Sequence, residues 1–249
     1  MLNNIDLEEI KNIAISAGDA AMKIYNNSFE IEYKSDNSPL TKADKEANKI
    51  ICTSLSQLYK EIPILSEENK TIPYQIRKKW NYYWCIDPID GTKEFIKKNG
   101  EFTINIALIF NETPILGVVY APVLKNIYYA KQKYGAFKNG KKLPLQKENK
   151  KLIIVASKSH LSPETEEFID SIQTNKEKKL LSIGSSLKLC LVAEGSADIY
   201  PRLAPTMEWD TAAAHAIVLE AGKEVLQFQN NKKLLYNKEN LLNPWFIVK

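Results

Sequence analysis

Two aspartates three residues apart, Asp87 and Asp90, lie in the string Trp84-Cys85-Ile86-Asp87-Pro88-Ile89-Asp90-Gly91-Thr92-Lys93-Glu94-Phe95. Ionised carboxylates are hard oxygen ligands of the kind Mg²⁺ takes. The apolar run from Tyr82 to Ile86 reads as the end of a buried strand. Pro88 fixes its own φ and keeps Asp87 extended, so the sequence predicts a sharp turn there. Asp90-Gly91-Thr92 is where a helix would begin, with unpaired backbone N–H groups facing whatever lies in front of them. One short loop thus offers two metal ligands and a cradle of amides for a phosphate. Asp-Pro and Asp-Gly pairs are also ordinary turn formers, so on residue types alone both readings stand.

Other residues with chemical potential are spread along the chain. Thr41 and Asp44 have the spacing of a helix-capping pair, and a cap alone would account for them. Glu67 and Glu68 follow the run Ile62–Leu65, on a stretch where adjacent glutamates are ordinarily just solvated. Asp210 stands at a helix start in Glu208-Trp209-Asp210-Thr211-Ala212-Ala213-Ala214, where an acid is a good cap in its own right. Gly184-Ser185-Ser186-Leu187-Lys188 puts small residues at a helix start and a lysine one turn in, a combination that could grip a phosphate. Arg202 could add a bidentate contact. A routine helix start and a surface arginine are the plain alternatives. Of the two histidines, His215 lies in an Ala-rich helix and reads as a core residue, while His160 follows a strand end. So few histidines argue against a His-centred zinc site or a serine–histidine hydrolase.

The string Trp84-x-x-Asp87-Pro88-Ile89-Asp90-Gly91-Thr92 closely resembles the signature of the inositol monophosphatase-like family of Mg²⁺-dependent, lithium-sensitive phosphatases. Trp209-Asp210-x-Ala212-Ala213 resembles that family's distal signature, and Pro39-x-Thr41-x-x-Asp44 and Glu67-Glu68 sit where the family carries further site residues. The resemblance implies two or three Mg²⁺ ions held by Glu67, Asp87, the carbonyl of Ile89, Asp90 and Asp210. It implies that Thr92, with Asp44 or Glu67, orients the attacking water, and that the amides of Gly91 and Thr92 hold phosphate oxygens. Glu67, Ile89, Asp90 and Asp210 would then also face the substrate. Thr92-Lys93-Glu94-Phe95, Asn99-Gly100-Glu101-Phe102-Thr103, Ser157-Lys158-Ser159-His160 and Arg202-x-x-Pro205-Thr206 look like the bacterial 3'(2'),5'-bisphosphate nucleotidases of sulfate assimilation. That similarity implies removal of the 3'-phosphate of adenosine 3',5'-bisphosphate to give AMP. His160, Ser185, Lys188 and Arg202 would lie on the side of the 5'-phosphate or the ribose. The alternatives are an inositol or sugar monophosphatase of the same family, and a non-catalytic metal- and nucleotide-binding module. The intact ligand set argues against the module.

The elements that must hold these residues can be read from periodicity and punctuation. Ile10, Ile13, Ala14, Ala17, Ala21 and Ile24 repeat at helical spacing, which predicts an amphipathic helix over 5–25. Ile50, Ile51, Leu55 and Leu58 give a second helix its buried face. Strands are expected at 30–34, 62–65, 102–110, 115–120 and 127–130, with a hairpin turn at Lys138-Asn139-Gly140. Successive strands without helices mark a mostly antiparallel sheet over 1–150. Beyond a charged boundary at 147–151, strands at 152–156, 180–183 and 198–203 alternate with helices at 162 onward, 185–194 and 208–221. Short strands near 225–228, 233–236 and 245–248 end the chain. Such alternation suggests an α/β unit over 151–249 carrying the distal Asp and the nucleotide contacts, with sites at the carboxyl ends of its strands. The family resemblance implies an α+β / α/β fold, a layered αβαβα sandwich of the sugar-phosphatase type.

The composition suits such a globular enzyme. The chain has 249 residues, 44% hydrophobic and 26% charged, with a net charge of +4. That charge suits a small anionic substrate and not a nucleic-acid polymer, whose basic residues would cluster. No apolar run approaches the ~18 residues of a membrane span, and the charged N-terminal stretch does not read as a secretory signal. Three cysteines in apolar settings predict free thiols in a reducing, cytoplasmic compartment, with peripheral attachment to the inner membrane face as an option from the family. The resemblance is compatible with a monomer or a homodimer.

Overall fold

The computed structural model describes residues 2–28, 30–33, 39–69, 72–145, 150–156 and 162–249. After a 3₁₀ turn at Leu2–Asn4, helix α1 (Leu7–Tyr25) is followed by a small antiparallel pair, β1 (Ile31–Tyr33) and β2 (Pro39–Thr41), and by helix α2 (Lys42–Leu58). Next come β3 (Ile64–Ser66), α3 (Tyr74–Arg77), β4 (Tyr82–Asp90) and α4 (Thr92–Ile96). Strands β5 (Thr103–Phe110), β6 (Thr113–Ala121), β7 (Asn126–Lys131), β8 (Gly135–Lys138) and β9 (Lys141–Lys142) complete the main sheet. It has seven strands in the order β3 to β9, antiparallel except for the parallel β3/β4 pair. The turn at Asn139-Gly140 has positive φ at both residues, 48° and 81°, as a tight hairpin turn requires.

The remaining chain forms β10 (Leu152–Ala156), α5 (Pro163–Ser171), β11 (Lys178–Ser182), α6 (Leu187–Glu194), β12 (Tyr200–Arg202), α7 (Glu208–Glu220), β13 (Val225–Gln227) and β14 (Phe246–Val248). β10 and β11 are parallel, β12, β14 and β13 are antiparallel in that order, and the bridge Ile154–Ile199 connects the two groups. The expected alternation of strands and helices holds from β10 to β13, and the pairing is mixed, parallel at β10/β11 and at the Ile154–Ile199 bridge and antiparallel among β12, β14 and β13. The segment 233–236 is not a strand. Lys233 makes a single bridge to Leu226, and Tyr236 is buried in the core instead.

The layers follow from two apolar faces of the main sheet. Trp84, Ile86, Ile104, Ile106 and Leu108 meet Ile10, Ala14 and Ala17 of α1 and Ala47, Ile51 and Leu55 of α2. Leu58, expected in that stripe, is exposed because α2 ends there. The opposite face, with Tyr83, Cys85, Ala107 and Ile109, meets α6 and α7 and, beyond them, Val155, Tyr200, Val225 and Phe246 of the smaller strands. One core cluster therefore takes residues from both sides of the charged segment at 147–151, part of which lies outside the described residues. The result is a mixed α+β layered fold, α1/α2 on the main sheet, α6/α7 on its other face, then the smaller strands and α5.

Helix α7 lies unusually close to the sheet. A Cβ placed on Gly117 of β6 would stand 2.1 Å from the carbonyl oxygen of Ala213. The small residues Ala212, Ala213, Ala214 and Ala216, all buried, form the matching face of α7. Gly117→Ala must push α7 outward, and overpacking of this kind costs about 1–3 kcal/mol. We expect Gly117→Ala to lower the thermal midpoint by several degrees, with a fall in metal affinity as α7 shifts. Chelator-containing and Mg²⁺-containing melts of the purified variant would test both, and an unchanged midpoint would contradict the packing argument.

Candidate active site

The site is built where β4 leaves the sheet. The turn expected at Pro88 is absent, and β4 instead runs through the proline to Asp90 with a bulge between Asp87 and Asp90. Proline lacks the N–H that a regular ladder would need, and a bulge is one place where a strand tolerates that loss. The bulge alters the pairing so that Asp87 lies opposite Asn105 and Asp90 opposite Thr103 of β5. Asp87 is almost completely buried, and its Oδ1 accepts the Ile89 N–H at 3.1 Å. Gly91 follows with φ of 91°, a left-handed conformation that favours glycine, and α4 starts at Thr92 as expected.

Two further carboxylates arrive from elsewhere. Glu67 follows β3, its N–H extending the ladder to the Ile86 carbonyl at 3.2 Å. Asp210 occupies the first turn of α7, and its Oδ2 accepts the Met207 N–H at 2.8 Å. Oxygens of Glu67, Asp87 and Asp210 lie within 4.8 Å of one another. Asp90 is beside this group but engaged differently. Its Oδ2 accepts from the Ser186 N–H at 2.5 Å, the Ser186 hydroxyl at 2.7 Å and, weakly, Asn105 Nδ2 at 3.5 Å. Asp87, Asp90 and Asp210 thus each have one oxygen held by a donor, the arrangement that orients carboxylates toward a cation.

Burial and crowding dominate the electrostatics. Asp87 is pushed well above the usual carboxylate range by burial first and then by Glu67, Asp90 and Asp210. Asp210 is pushed up to about 8 by burial, then by Asp90, against the opposing Met207 hydrogen bond. Hard oxygen donors gathered this closely, with Asp87 and Asp210 resisting ionisation on their own, fit a divalent cation such as Mg²⁺.

Asp44 and Thr92 also meet. Thr41 forms a full capping box with Asp44, whose Oδ2 accepts from the Thr41 N–H at 2.7 Å and its hydroxyl at 2.6 Å. Asp44 Oδ1 faces the Thr92 hydroxyl at 3.3 Å, and the Ile89 carbonyl lies at the same distance from that hydroxyl. Asp44 is therefore a helix cap and a neighbour of the metal loop at once.

A cavity of about 130 Å³ opens beside the carboxylates, lined among others by Asp90, Gly91, Ser185, Lys188, Arg202 and Asp210. Lys188 is buried, its ammonium bonded only to the carbonyls of Ser185 at 2.7 Å and Ile183 at 3.5 Å among the described residues. Burial lowers its pKa to about 8, partly offset by Asp90. Arg202 donates to the Pro205 carbonyl at 2.7 Å, and its buried Nε has no partner among the described residues. α6 starts at Leu187 instead of Ser185, and Ser185 has φ of 49°. His160 lies outside the described residues. His215 is a core residue as expected, buried against Tyr236 with 2.9 Å between Nδ1 and the hydroxyl, and burial lowers its pKa to about 3. Sequence reasoning missed Asn105 and Ser186. The available signal was Asn105 itself, a polar residue on a strand face that otherwise continues as Ala107 and Ile109.

The comparisons with known proteins agree with this arrangement. Residues 4–245 match the inositol monophosphatase family. The chain is 46% identical over 246 residues to the 3'(2'),5'-bisphosphate nucleotidase CysQ of Salmonella typhimurium, covering 97% of this chain and 98% of that protein. It is 44% identical over 247 residues to CysQ of Escherichia coli K12, with the same coverage. The crystal structure of CysQ from Bacteroides thetaiotaomicron, described as a bacterial member of the inositol monophosphatase family, superposes with a TM-score of 0.89 at 45% identity, covering 98% of this chain and 96% of that one. Thermotoga maritima IMPase TM1415 superposes at 0.79 with 26% identity, covering 96% and 89%.

The raised pKa of Asp210 gives a signed expectation. A carboxyl that holds its proton to about pH 8 when folded, but only to about 4 when unfolded, stabilises the cation-free fold at low pH. That contribution is lost as pH rises from the unfolded to the folded value. A bound cation replaces the proton. The increase in melting temperature on adding Mg²⁺ should therefore be larger at pH 8.5 than at pH 6, and Asp210→Asn should flatten the difference. Melts with Mg²⁺ and with chelator at both pH values provide the check.

Proposed function

As the chain belongs to the inositol monophosphatase family, we propose that it is a Mg²⁺-dependent 3'(2'),5'-bisphosphate nucleotidase that converts adenosine 3',5'-bisphosphate to AMP and phosphate. The observation that carries this reading is a cavity whose lining has two parts: an acidic wall with Asp90 and Asp210, beside Glu67 and Asp87, and a cationic wall with Arg202 and the buried Lys188. A monoester needs only the first wall. A substrate with a second phosphate uses both.

Glu67, Asp87, the Ile89 carbonyl, Asp90 and Asp210 would hold two or three Mg²⁺ ions, which would supply Lewis-acid polarisation of the phosphoryl oxygens and a water of lowered pKa. Thr92 donates its hydroxyl hydrogen to Asp44 Oδ1, which leaves an oxygen lone pair to accept a hydrogen from the attacking water. Asp44 cannot swing away, because the Thr41 cap holds its other oxygen. The amides of Gly91 and Thr92 meet the scissile phosphate. Lys188 and Arg202, with Ser185, take the 5'-phosphate or the ribose side, replacing carbonyl contacts with charge-assisted ones. Lithium inhibition and a role in sulfate assimilation follow from the same reading, as does a cytoplasmic setting for the three free cysteines. No described helix is long and apolar enough to cross a membrane.

Phosphate release from adenosine 3',5'-bisphosphate and from inositol 1-phosphate, side by side with Mg²⁺ and with Mg²⁺ plus Li⁺, tests the reading. Preference for the nucleotide with lithium inhibition supports it, and preference for inositol phosphate would keep the metal wall and overturn the cationic one. Asp90→Asn or Asp210→Asn should cost kcat about 10³-fold, equivalent to ~4 kcal/mol of lost charge stabilisation. Lys188→Met should raise KM for the nucleotide by about 10-fold to 100-fold, the loss of one hydrogen bond to a charged group. In the wild type that KM should climb above pH 8, where Lys188 loses its proton. A pH-independent KM would remove Lys188 from the substrate side.

A further inference from the structure

Asn105 and Ser186 belong neither to the proposed ligand set nor to the lining of the cavity, yet both are almost completely buried beside Asp90. They come from separate elements, β5 and the residue just before α6. Every hydrogen bond donated to Asp90 among the described residues comes from this pair, and all of them fall on Oδ2. Oδ1 receives none. Asn105 also sets the serine: its Nδ2 donates to Ser186 Oγ at 2.8 Å. That occupies an acceptor site on the hydroxyl, so its single hydrogen is directed to Asp90 Oδ2 or to the Asp210 carbonyl, each 2.7 Å away. One serine thus ties together the carboxylate at the end of β4 and the backbone of the residue that supplies Asp210.

The remaining polar atoms on this strand face are also unusual. Asn105 Oδ1 and Thr103 Oγ1 are buried with no hydrogen-bond partner among the described residues. They lie at the β5 positions opposite Asp87 and Asp90. Buried polar groups without protein partners are places for ordered water, and they would be costly if the site were dry. An amide suits the position. A carboxylate at 105 would add another negative charge to the cluster, and an aliphatic side chain would leave the Ser186 hydroxyl free to rotate.

We propose that Asn105 and Ser186 are a positioning pair. They fix the rotation of the Asp90 carboxylate so that Oδ1 is turned to the cation, and they lock the Asp90 and Asp210 segments in register. The inference rests on the reading of the acidic cluster as a Mg²⁺ site. It goes beyond that reading because it assigns metal affinity to residues that touch neither metal nor substrate.

The test is calorimetric titration of Mg²⁺ alone into metal-free wild type, Asn105→Ser, Ser186→Ala and Ser186→Thr, with the Mg²⁺ dependence of phosphate release measured in parallel. Loss of an orienting partner typically weakens metal binding by about 10-fold to 100-fold, the range expected for Asn105→Ser and Ser186→Ala. The Mg²⁺ concentration for half-maximal activity should rise by the same factor, while KM for the nucleotide at saturating Mg²⁺ stays at the wild-type value. Ser186→Thr, which keeps the N–H and the hydroxyl, should retain wild-type affinity. Melts in chelator establish folding, and if Ser186→Ala does not fold, Asn105→Ser decides the matter. Wild-type Mg²⁺ affinity in folded Asn105→Ser or Ser186→Ala would overturn the proposal. Failure of the wild type to bind Mg²⁺ would instead overturn the metal-site reading.

Discussion

Negative charge gathered in a small, partly buried space governs this structure. Oxygens of Glu67, Asp87 and Asp210 lie within 4.8 Å of one another, and Asp87 has almost no access to solvent. Unit charges at such a separation repel by roughly 3 kcal/mol per pair even at an effective dielectric of 20. Relaxation by side-chain rotation is blocked, because Asp87 is held by the Ile89 N–H, Asp210 by the Met207 N–H and Asp90 by Ser186. The fold holds these groups in a state that protons or a cation must complete. Function follows from that incompleteness: the same oxygens that are costly alone form a cation site when they are held together.

Holding them together is the task of the layers. The three segments that meet at the site are far apart in sequence, and none could be placed by local structure alone. β4 is central in the main sheet, with β3 beside it delivering Glu67. Asp210 arrives on α7, and its distance from Asp87 is set by how closely that helix lies on the sheet. Gly117 beneath Ala213, together with the alanine face of α7, permits the approach. Small residues here are thus a requirement of the chemistry as well as of packing. Glu208, completely buried at the first position of α7, is joined to Lys238 at 2.6 Å and to the Asn237 N–H at 2.7 Å, which anchors the same helix end from behind.

The sequence was most legible where structure is local. Helix α1, the strand Leu152–Ala156 and the Asn139-Gly140 turn were readable from periodicity and turn chemistry, because their causes lie within a few residues. It was least legible where distant segments decide the outcome. Pro88 suggested a turn by its own dihedral preference, but the ladder to β5 keeps the strand going and absorbs the proline in a bulge. The segment 233–236 looked like a strand, yet it makes one bridge and sends Tyr236 inward to Thr211 and His215. For the site, residue types alone could not group Glu67, Asp87, Asp90 and Asp210, since each has an ordinary role as a cap or a turn former; family resemblance did so. Asn105 and Ser186 escaped both routes. Their importance lies in contacts across 81 residues of chain, and a serine before a helix looks like any other.

The cavity divides its work between two walls built by different elements. The acidic wall comes from Asp90 at the end of β4 and Asp210 on α7, with β3 delivering Glu67 beside it. The cationic wall comes from the start of α6 and from β12, in the smaller layer. Burial of the Lys188 ammonium lowers its pKa to about 8. Arg202 Nε, also buried, has no hydrogen-bond partner among the described residues. On the proposed reading a phosphate meets both cations there, and binding energy released at a distance from the reacting group can be used to position it. Ser186 stands where the walls join, next to Ser185 on the cationic side and bonded to Asp90 on the acidic side. The hydrogen bonds it donates run to the acidic side, to Asp90 and to the Asp210 carbonyl, so the joint lies closer to the carboxylates than to the cations.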